Sequence, residues 1–174
     1  MQLATCSFPG EGEQILTILN DAIQNSTALY DYEPRTLDSM AQWFDTKTEN
    51  DYPVIGAFES GRLMGFATYG SFRGFAANRY TVEHSVYIDK AYRGRGLGKI
   101  LLAELIDAAI QQQYHVMVGA IDATNLASIS LHEKLGFTHA GTLKEVGFKF
   151  GRWLDLAFYQ KLLGTRVTPG EGSK

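Results

Sequence analysis

Cysteine is almost absent from this chain. The 174 residues include one cysteine, Cys6, which excludes an internal disulfide and any metal site built on several cysteines. A single thiol is typical of a protein in a reducing compartment, so we expect a cytoplasmic location. Cys6 lies in a polar N-terminal stretch that offers it no activating partner, which argues against a cysteine nucleophile.

Basic residues are fewer than acidic residues in this chain. Sixteen Lys and Arg stand against nineteen Asp and Glu, which gives a net charge of −3. This balance argues against a general nucleic-acid or anionic-membrane binder. No apolar run approaches the roughly 18 residues of a membrane span, and no basic segment followed by an apolar one opens the chain. The sequence therefore predicts neither a nucleic-acid partner nor a membrane partner.

The histidines are few and carry no metal-binding pattern. The spacing of the four, His84, His115, His132 and His139, does not match the H-E-x-x-H motif or any close ligand pair. The G-x-S-x-G elbow of serine hydrolases is missing as well. We therefore expect no metal site and no covalent nucleophile.

Length and composition favour one globular domain. A chain of 174 residues with 45% apolar residues has the size and content of a single core. We expect this domain to span residues 1–164, followed by a flexible tail over 165–174, which is poor in apolar residues and contains proline and two glycines. Glycine is the one excess, with 18 residues or about a tenth of the chain, against a usual share of roughly 7%.

The apolar spacing predicts an α/β chain in the order αα-ββ-βα-βα-ββ. Helices are predicted over 13–23, from a start after Thr36, over 97–112 and over 127–135. Strands are predicted over 54–58, 63–69, 80–88, 115–121, 142–148 and 154–159. The segment 59–62, with Gly61, predicts the turn of a hairpin between the first two strands.

Three of the glycines lie within five residues at a strand-to-helix junction. The segment 93–99, Arg-Gly-Arg-Gly-Leu-Gly-Lys, opens the most regular predicted helix. Glycines allow backbone N–H groups to approach a ligand, and a helix N-terminus favours negative charge, so this segment predicts a phosphate-binding cradle. The spacing does not fit the P-loop, which needs four residues between its glycines. It does not fit the dinucleotide fingerprint G-x-G-x-x-G either.

The motif Arg93-x-x-Gly96-x-Gly98 after a strand resembles the acetyl-CoA pyrophosphate motif of the GNAT N-acetyltransferase superfamily. The predicted element order resembles that fold across nearly the whole chain. Three further stretches resemble the phosphinothricin and methionine sulfoximine acetyltransferase branch. They are Thr-Val-Glu-His-Ser-Val-Tyr-Ile at 81–88, Asn-Leu-Ala-Ser-Ile-Ser-Leu-His-Glu-Lys-Leu-Gly-Phe at 125–137 and Lys-Phe-Gly-Arg-Trp-Leu-Asp at 149–155.

This resemblance implies a mixed central sheet with splayed central parallel strands, helices on both faces, and acetyl-CoA bound as cosubstrate in the gap. It implies that backbone groups of Val86, Tyr87 and Ile88 bind the pantetheine arm and its thioester. The pyrophosphate would lie on Arg93, Gly94, Arg95, Gly96, Leu97, Gly98 and Lys99. Asn125 would touch the cofactor near its reactive end. The resemblance also implies a homodimer.

Glu83 is the candidate general base. Transfer of an acetyl group to an amine needs a neutral nucleophile, stabilisation of the oxyanion and a proton for the departing thiolate. Glu83 interrupts an apolar strand near the expected thioester, and the resemblance makes it the family's catalytic carboxylate. The alternative is a glutamate at the strand edge that faces solvent.

Two histidines raise a separate question about the proton donor. Strand alternation places His84 on the face opposite to Glu83, so we expect a structural role for it. His132 occupies a position where many relatives have a tyrosine that protonates the coenzyme thiolate, which makes it a candidate acid. The alternatives are that His132 only packs, and that water supplies the proton, since a thiol has a pKa of about 8.5.

The loop Phe72-Arg73-Gly74-Phe75 indicates a pocket for the molecule that accepts the acetyl group. Arg73 would pair with the carboxylate of an amino acid, and the aromatic rings would flank its side chain. The alternative is an exposed loop with packed rings. Relatives commonly carry Trp-Arg-Pro-Phe here, so Phe72 and Gly74 leave the acceptor open.

The function predicted is acetyl-CoA-dependent N-acetylation of a small amino acid analogue of the phosphinothricin, methionine sulfoximine or methionine sulfone type, by direct transfer in a ternary complex. The alternatives are acetylation of a peptide N-terminus or of a polyamine, and a non-catalytic acyl-CoA-binding module. Arg73 argues against a polyamine, which would favour an acidic pocket.

Overall fold

A computed structural model describes residues 1–164, and the tail predicted at 165–174 lies outside these residues. The strands are β1 Gln2–Thr5, β2 Val54–Glu59, β3 Arg62–Ser71, β4 Thr81–Ile88, β5 Val116–Asp122, β6 Thr138–Lys149 and β7 Arg152–Leu162. The helices are α1 Phe8–Asn25, α2 Leu37–Glu49, α3 Leu97–Gln111 and α4 Leu126–Lys134. All the predicted helices and strands are present, in the predicted order.

The N-terminal region differs from the sequence prediction. The strand β1 was not predicted, and α1 begins at Phe8, five residues before the predicted start at Glu13. The reason is that β1 has only four residues and little apolar content, and it exists because it pairs antiparallel with β2, a contact remote in sequence. Proline in the first turn of α1 is compatible with a helix start.

Local signals fix two other boundaries. The helix α2 begins after Thr36, as predicted, and its capping box joins the side chains and backbone N–H groups of Thr36 and Ser39. The predicted hairpin turn between β2 and β3 places Ser60 and Gly61 at φ angles of 50° and 79°. Both angles lie in the left-handed region, as a two-residue type I′ turn requires.

The seven strands form one sheet in the order β1-β2-β3-β4-β5-β7-β6. The pair β4–β5 is parallel and every other neighbouring pair is antiparallel. The two parallel strands pair only from Thr81–Glu83 to Val116–Val118 and separate beyond these residues, while each keeps its other neighbour. The prediction of splayed central parallel strands in a mixed sheet is confirmed.

Helices cover both faces of the sheet, as predicted. The face under α1 and α2 has a core that includes Ile15, Leu19, Met40 and Phe66. The face under α3 and α4 has a larger core, with Leu101, Leu105, Val82, Met117 and Phe137 among its members. Because strand side chains alternate, the pairing of Phe66 with Tyr87 and of Gly70 with Glu83 assigns Glu83 to the α1–α2 face.

Candidate active site

A cleft of about 690 Å³ opens where β4 and β5 separate. It runs from the N-terminus of α3 to the closed end of the gap, where the two strands still pair. Of the residues singled out in the sequence, those that line it are Glu83, His84, Val86, Tyr87, Ile88, Arg93, Gly94, Gly96, Leu97, Gly98, Asn125 and His132. Arg95 and Lys99 are exposed beside the cleft and are not in its lining.

The glycines of the segment 93–99 serve two different purposes. Gly94 and Gly96 have φ angles of 79° and 77°, and a Cβ at either would meet nothing within 4 Å. Their backbone conformation, rather than crowding, favours glycine there, and it turns the backbone at the start of α3 toward the cleft. At Gly98 a Cβ would lie 3.2 Å from a methyl carbon of Leu131, so this glycine permits close packing of α3 on α4.

The two arginines of this turn are already paired with acids. An Arg93 terminal nitrogen lies 3.0 Å from a carboxylate oxygen of Asp21, and its Nε donates to the carbonyl of Ile88 at 3.3 Å. Arg95 lies 3.6 Å from Glu59 and over the ring of Tyr92. These exposed pairs are weak in water, so the guanidinium groups remain available to a phosphate that approaches the helix N-terminus.

The backbone edge of β4 beyond Glu83 faces the cleft. From Ser85 to Ile88 the strand pairs with β3 on one side, while its pairing with β5 has ended. Backbone donors and acceptors along this edge therefore point into the gap, where an extended ligand can pair with them as a strand would. This geometry is compatible with the contacts expected from Val86, Tyr87 and Ile88.

Glu83 stands at the closed end of the cleft. It belongs to the last rung at which β4 and β5 pair, opposite Val118, and its side chain is half-buried. Burial raises the pKa of this carboxyl above its ordinary value. A carboxylate with a raised pKa at the end of a ligand cleft has the character of a general base.

His84 and His132 form a buried pair on the other face of the sheet. Their Nε2 atoms are 2.9 Å apart and the rings stack with centroids separated by 4.9 Å. The Nδ1 atom of His132 lies 2.6 Å from the carbonyl oxygen of Ser128. Burial lowers the pKa of both imidazoles, that of His84 to about 3 with a further contribution from His132. Both rings are therefore neutral at pH 7.

Asn125 is the N-cap of α4. Its Oδ1 atom accepts a hydrogen bond from the backbone N–H of Ser128 at 3.1 Å, which fixes the side chain at the cleft wall. The orientation of Asn125 thus follows from helix capping, and the residue lies between β5 and α4 in the wall of the cleft.

The predicted acceptor loop borders a second, smaller recess. Arg73, Gly74 and Phe75 line a recess of about 220 Å³ together with Arg79 and Thr81. The ring of Phe72 is half-buried and is not part of this lining. Thr81, the first residue of β4, also lines this recess, whereas Glu83, two residues further along the strand, lines the cleft and not the recess.

The structure adds Asp122, which the sequence analysis did not single out. Its carboxylate accepts hydrogen bonds from the hydroxyl of Thr27 and from the N–H and hydroxyl of Thr124, and it pairs with Arg152 at 3.3 Å. Burial opposes ionisation, but these hydrogen bonds outweigh it and hold the pKa of Asp122 below its usual range. Asp122 thereby ties the loop after α1 to the end of β5. The only signal in the sequence was its position at the end of a buried strand.

Lys149 has a role that the sequence did not predict. A lysine in the stretch 149–155 could contact a ligand or be solvated, and the structure shows neither, because the side chain is buried. Its ammonium donates to the carbonyls of Ile23, Ser26 and Leu29 at 2.6, 3.0 and 2.8 Å. Lys149 thus caps the C-terminus of α1 and holds the following loop, including Tyr30, at the cleft.

Within residues 1–164, no three His, Cys, Asp or Glu side chains are grouped as ligands for a metal ion. None of the helices in this part of the chain is long and apolar enough to cross a lipid bilayer. Cys6 is buried, and burial together with the nearby Glu11 raises the pKa of its thiol to about 12. A thiol of this kind is not activated.

Comparisons with known proteins agree with this geometry. Residues 15–137 match the model of the Acetyltransferase (GNAT) family. An L-methionine sulfoximine/L-methionine sulfone acetyltransferase from Pseudomonas aeruginosa is 48% identical over 157 residues, which cover 89% of this chain and 91% of the relative.

Two solved structures extend the comparison to three dimensions. A structure from Acinetobacter baylyi ADP1 has a TM-score of 0.96 and 60% identity, covering 98% of this chain and 96% of the other. A GNAT superfamily phosphinothricin acetyltransferase from Sinorhizobium meliloti, in complex with AcCoA, has a TM-score of 0.93 and 37% identity, covering 98% and 94%. The family match and the splayed cleft lead to one conclusion: this chain belongs to the GNAT family of N-acetyltransferases.

Proposed function

We propose that this enzyme transfers the acetyl group of acetyl-CoA directly to the α-amino group of a small amino acid analogue of the methionine sulfone, methionine sulfoximine or phosphinothricin type. One observation carries the proposal. A single cleft joins a glycine turn at a helix N-terminus to a half-buried carboxylate, Glu83, at the point where β4 and β5 meet. Acetyl-CoA is the cosubstrate, and its pyrophosphate lies on the turn 93–99 with its thioester toward Glu83.

The reaction requires one general base and backbone hydrogen-bond donors along the edge of β4. Glu83 accepts a proton from the acceptor ammonium, directly or through water, and the neutral amine attacks the thioester carbonyl. The carbonyl oxygen of the thioester takes the electron pair of the π bond and becomes an oxyanion. Backbone hydrogen-bond donors on the cleft-facing edge of β4 stabilise this oxyanion. Collapse re-forms the carbonyl, breaks the carbon–sulfur bond and releases the coenzyme as thiolate, and the nitrogen, which became cationic on attack, gives up its extra proton to water. The amine has gained the acetyl group and the enzyme forms no covalent bond.

The thiolate takes its proton from water in this scheme. In the neutral pair, the Nδ1–H of His132 donates to Ser128, and its Nε2 accepts from His84. His132 therefore has no N–H left to offer the sulfur. A coenzyme thiol has a cysteine-like pKa of about 8.5, so water protonates a large share of the thiolate at neutral pH.

The recess at the start of β4 supports an acceptor with a carboxylate. Arg73 and Arg79 line it, and a guanidinium pairs well with a carboxylate. The volume of about 220 Å³ suits a small molecule. The P. aeruginosa relative, at 48% identity, is named for methionine sulfoximine and sulfone, which are both amino acids with a polar sulfur group.

Two rival functions make different demands on this site. A peptide N-terminal acetyltransferase would need an open groove, and a polyamine acetyltransferase would need acidic residues where Arg73 and Arg79 lie. A non-catalytic acyl-CoA-binding module would not need a carboxylate with a raised pKa at the end of the cleft. We favour the amino acid acceptor because of the two arginines.

A homodimer is part of the proposal. The edge strand β6, its partner β7 and the turn between them expose apolar side chains, among them Val146, Phe148, Phe150 and Trp153. The rings of Phe148 and Trp153 are in edge contact at 5.0 Å. An exposed apolar patch on a sheet edge is typical of an interface, and we assign this patch to a second copy of the chain. We also propose a reducing, cytoplasmic location for the enzyme.

The experiment that tests the proposal is a thiol-release assay with product identification. Purified enzyme is supplied with acetyl-CoA and, in separate reactions, methionine sulfone, methionine sulfoximine, phosphinothricin, methionine, spermidine and a short peptide. We expect free thiol and an N-acetylated product with the amino acid analogues. Turnover only with spermidine or the peptide would refute the acceptor class, and binding of acetyl-CoA without turnover of any amine would refute catalysis.

A further inference from the structure

We propose that His84 and His132 form the end wall of the acyl-binding cleft and restrict the transferred acyl group to acetyl. This inference rests on the proposed function, since it concerns the same cleft and its thioester. It assigns the pair a role in acyl-chain selection instead of proton transfer.

The pair lies at the point where β4 and β5 separate. The last paired rung joins Glu83 to Val118, and the next residues along the two strands are His84 and Gly119. A Cβ at Gly119 would lie 2.7 Å from Nε2 of His84 and 3.0 Å from Nε2 of His132. The two imidazoles thus occupy the space that a side chain on β5 would fill, and they close the gap from the side of α4.

Hydrogen bonding locks this wall in one arrangement. The carbonyl of Ser128 can only accept, so the Nδ1 atom of His132, 2.6 Å away, carries the proton. The Nε2 of the neutral His132 ring is then an acceptor, and His84 donates to it from its own Nε2. Phe137 packs edge-on against both rings, at centroid distances of 5.5 and 5.1 Å.

The orientation of the cofactor directs the acyl group at this wall. The cradle for the pyrophosphate is at the start of α3, beyond Ile88, whereas His84 lies four residues back along β4, about 13 Å at the usual strand rise. An arm that extends along this edge brings its acyl end to the two imidazoles. Each further methylene must then displace rings that are packed and hydrogen-bonded.

The test compares acyl donors with one acceptor. We would measure kcat/KM for acetyl-CoA, propionyl-CoA and butyryl-CoA in the wild type, His132→Ala and His132→Phe. The wild type is expected to prefer acetyl-CoA. His132→Ala is expected to raise the propionyl-to-acetyl ratio by about tenfold or more, which is the usual effect of one methylene in a pocket. His132→Phe keeps a ring without nitrogens and is expected to retain the preference for acetyl-CoA.

The exposed His139 on β6 gives a matched control, since His139→Ala removes the same side chain outside the cleft and should leave the ratio unchanged. Gly119→Ala is the second variant if His132→Ala does not fold. Its methyl group would lie within 3.0 Å of both rings and must displace them, so the propionyl-to-acetyl ratio should change from that of the wild type.

A wild-type acyl-donor ratio in a folded His132→Ala enzyme, or in Gly119→Ala, would overturn the end wall. Loss of the acetyl preference in His132→Phe would also overturn it, because the nitrogens and not the ring volume would then select the donor. Failure of the proposed function is seen separately, as a wild-type enzyme that binds acetyl-CoA but releases no thiol with any amine.

Discussion

The ammonium of Lys149 donates a hydrogen bond to the carbonyl of Ile23 at 2.6 Å, although the two residues are 126 positions apart. Two further carbonyls, of Ser26 and Leu29, accept from the same nitrogen. All three protons of the ammonium therefore have a partner, and the loop that follows α1 is fixed at the cleft by the end of β6.

Lys149→Met should loosen this loop without changing the cofactor cradle. Methionine keeps most of the side-chain volume but leaves three carbonyls without their donor, so we expect a loss of at least about 2 kcal/mol in the free energy of unfolding. The KM for the acceptor should rise several-fold while the Kd for acetyl-CoA stays close to the wild-type value. Denaturant unfolding and steady-state kinetics measure these effects.

The control for this variant is Lys144→Met, which removes an exposed lysine paired with Asp155 and should change stability by less than about 1 kcal/mol. Equal effects of the two substitutions on stability and acceptor KM would show that Lys149 does not position the loop.

Arg95→Glu should weaken the binding of acetyl-CoA. The substitution replaces a guanidinium beside the N-terminus of α3 by a carboxylate, which repels a pyrophosphate in the cradle. We expect the Kd for acetyl-CoA to rise by about tenfold or more, with a smaller difference at high salt because the side chain is exposed. Calorimetry at two ionic strengths measures it, with Lys134→Glu on α4 as the charge-matched control. An unaltered Kd would contradict the cradle.

The neutral His84–His132 pair predicts a loss of stability in acid. The pKa of His84 is about 3 in the folded protein, against an ordinary 6.5. At a pH between 3 and 6.5, His84 is therefore protonated in the unfolded chain and neutral in the folded chain. The contribution of His84 is complete above pH 6.5 and decreases as the pH falls toward 3, by about 1.4 kcal/mol per pH unit.

His84→Phe keeps a ring at this position and removes the titrating group. Between pH 6.5 and 5 the free energy of unfolding of this variant should fall less steeply than that of the wild type, by about 1.4 kcal/mol per pH unit. His139→Phe, at an exposed position, is the reference variant. Parallel slopes for wild type and His84→Phe would mean that His84 is charged in the folded protein.

Much of the fold follows from local sequence signals. The stripe of apolar residues in α3 and the cap at Thr36 predict helices at nearly their observed bounds, because both signals act within a few residues of the chain. Alternation along β4 assigns Glu83 and His84 to opposite faces for the same reason. The strand β1 was not predicted because it is stabilised by its pairing with β2, fifty or more residues away.

One part of the site is formed by residues adjacent in sequence, and another part depends on contacts between distant residues. The glycine turn and its arginines are contiguous in sequence, so the sequence alone predicts a cradle at this turn. The bond between His84 and His132 and the space left for it by Gly119 depend on three separate elements, β4, α4 and β5. Side-chain type and spacing contain no such information, which is also why Lys149 could not be distinguished from a solvated lysine.

The most direct test of the account is the turnover of Glu83→Gln with acetyl-CoA and methionine sulfone. Glutamine keeps the shape of the side chain and cannot accept the proton, so we expect kcat to fall by about 10² to 10⁴-fold and the Kd for acetyl-CoA to stay unchanged. The acidic limb of the wild-type pH profile should lie above the ordinary pKa of a glutamate, because burial raises the pKa of Glu83, and it should disappear in the variant. Glu104→Gln, on the exposed side of α3, should behave as the wild type. A Glu83→Gln enzyme that turns over at the wild-type rate would contradict the assignment of Glu83 as the base.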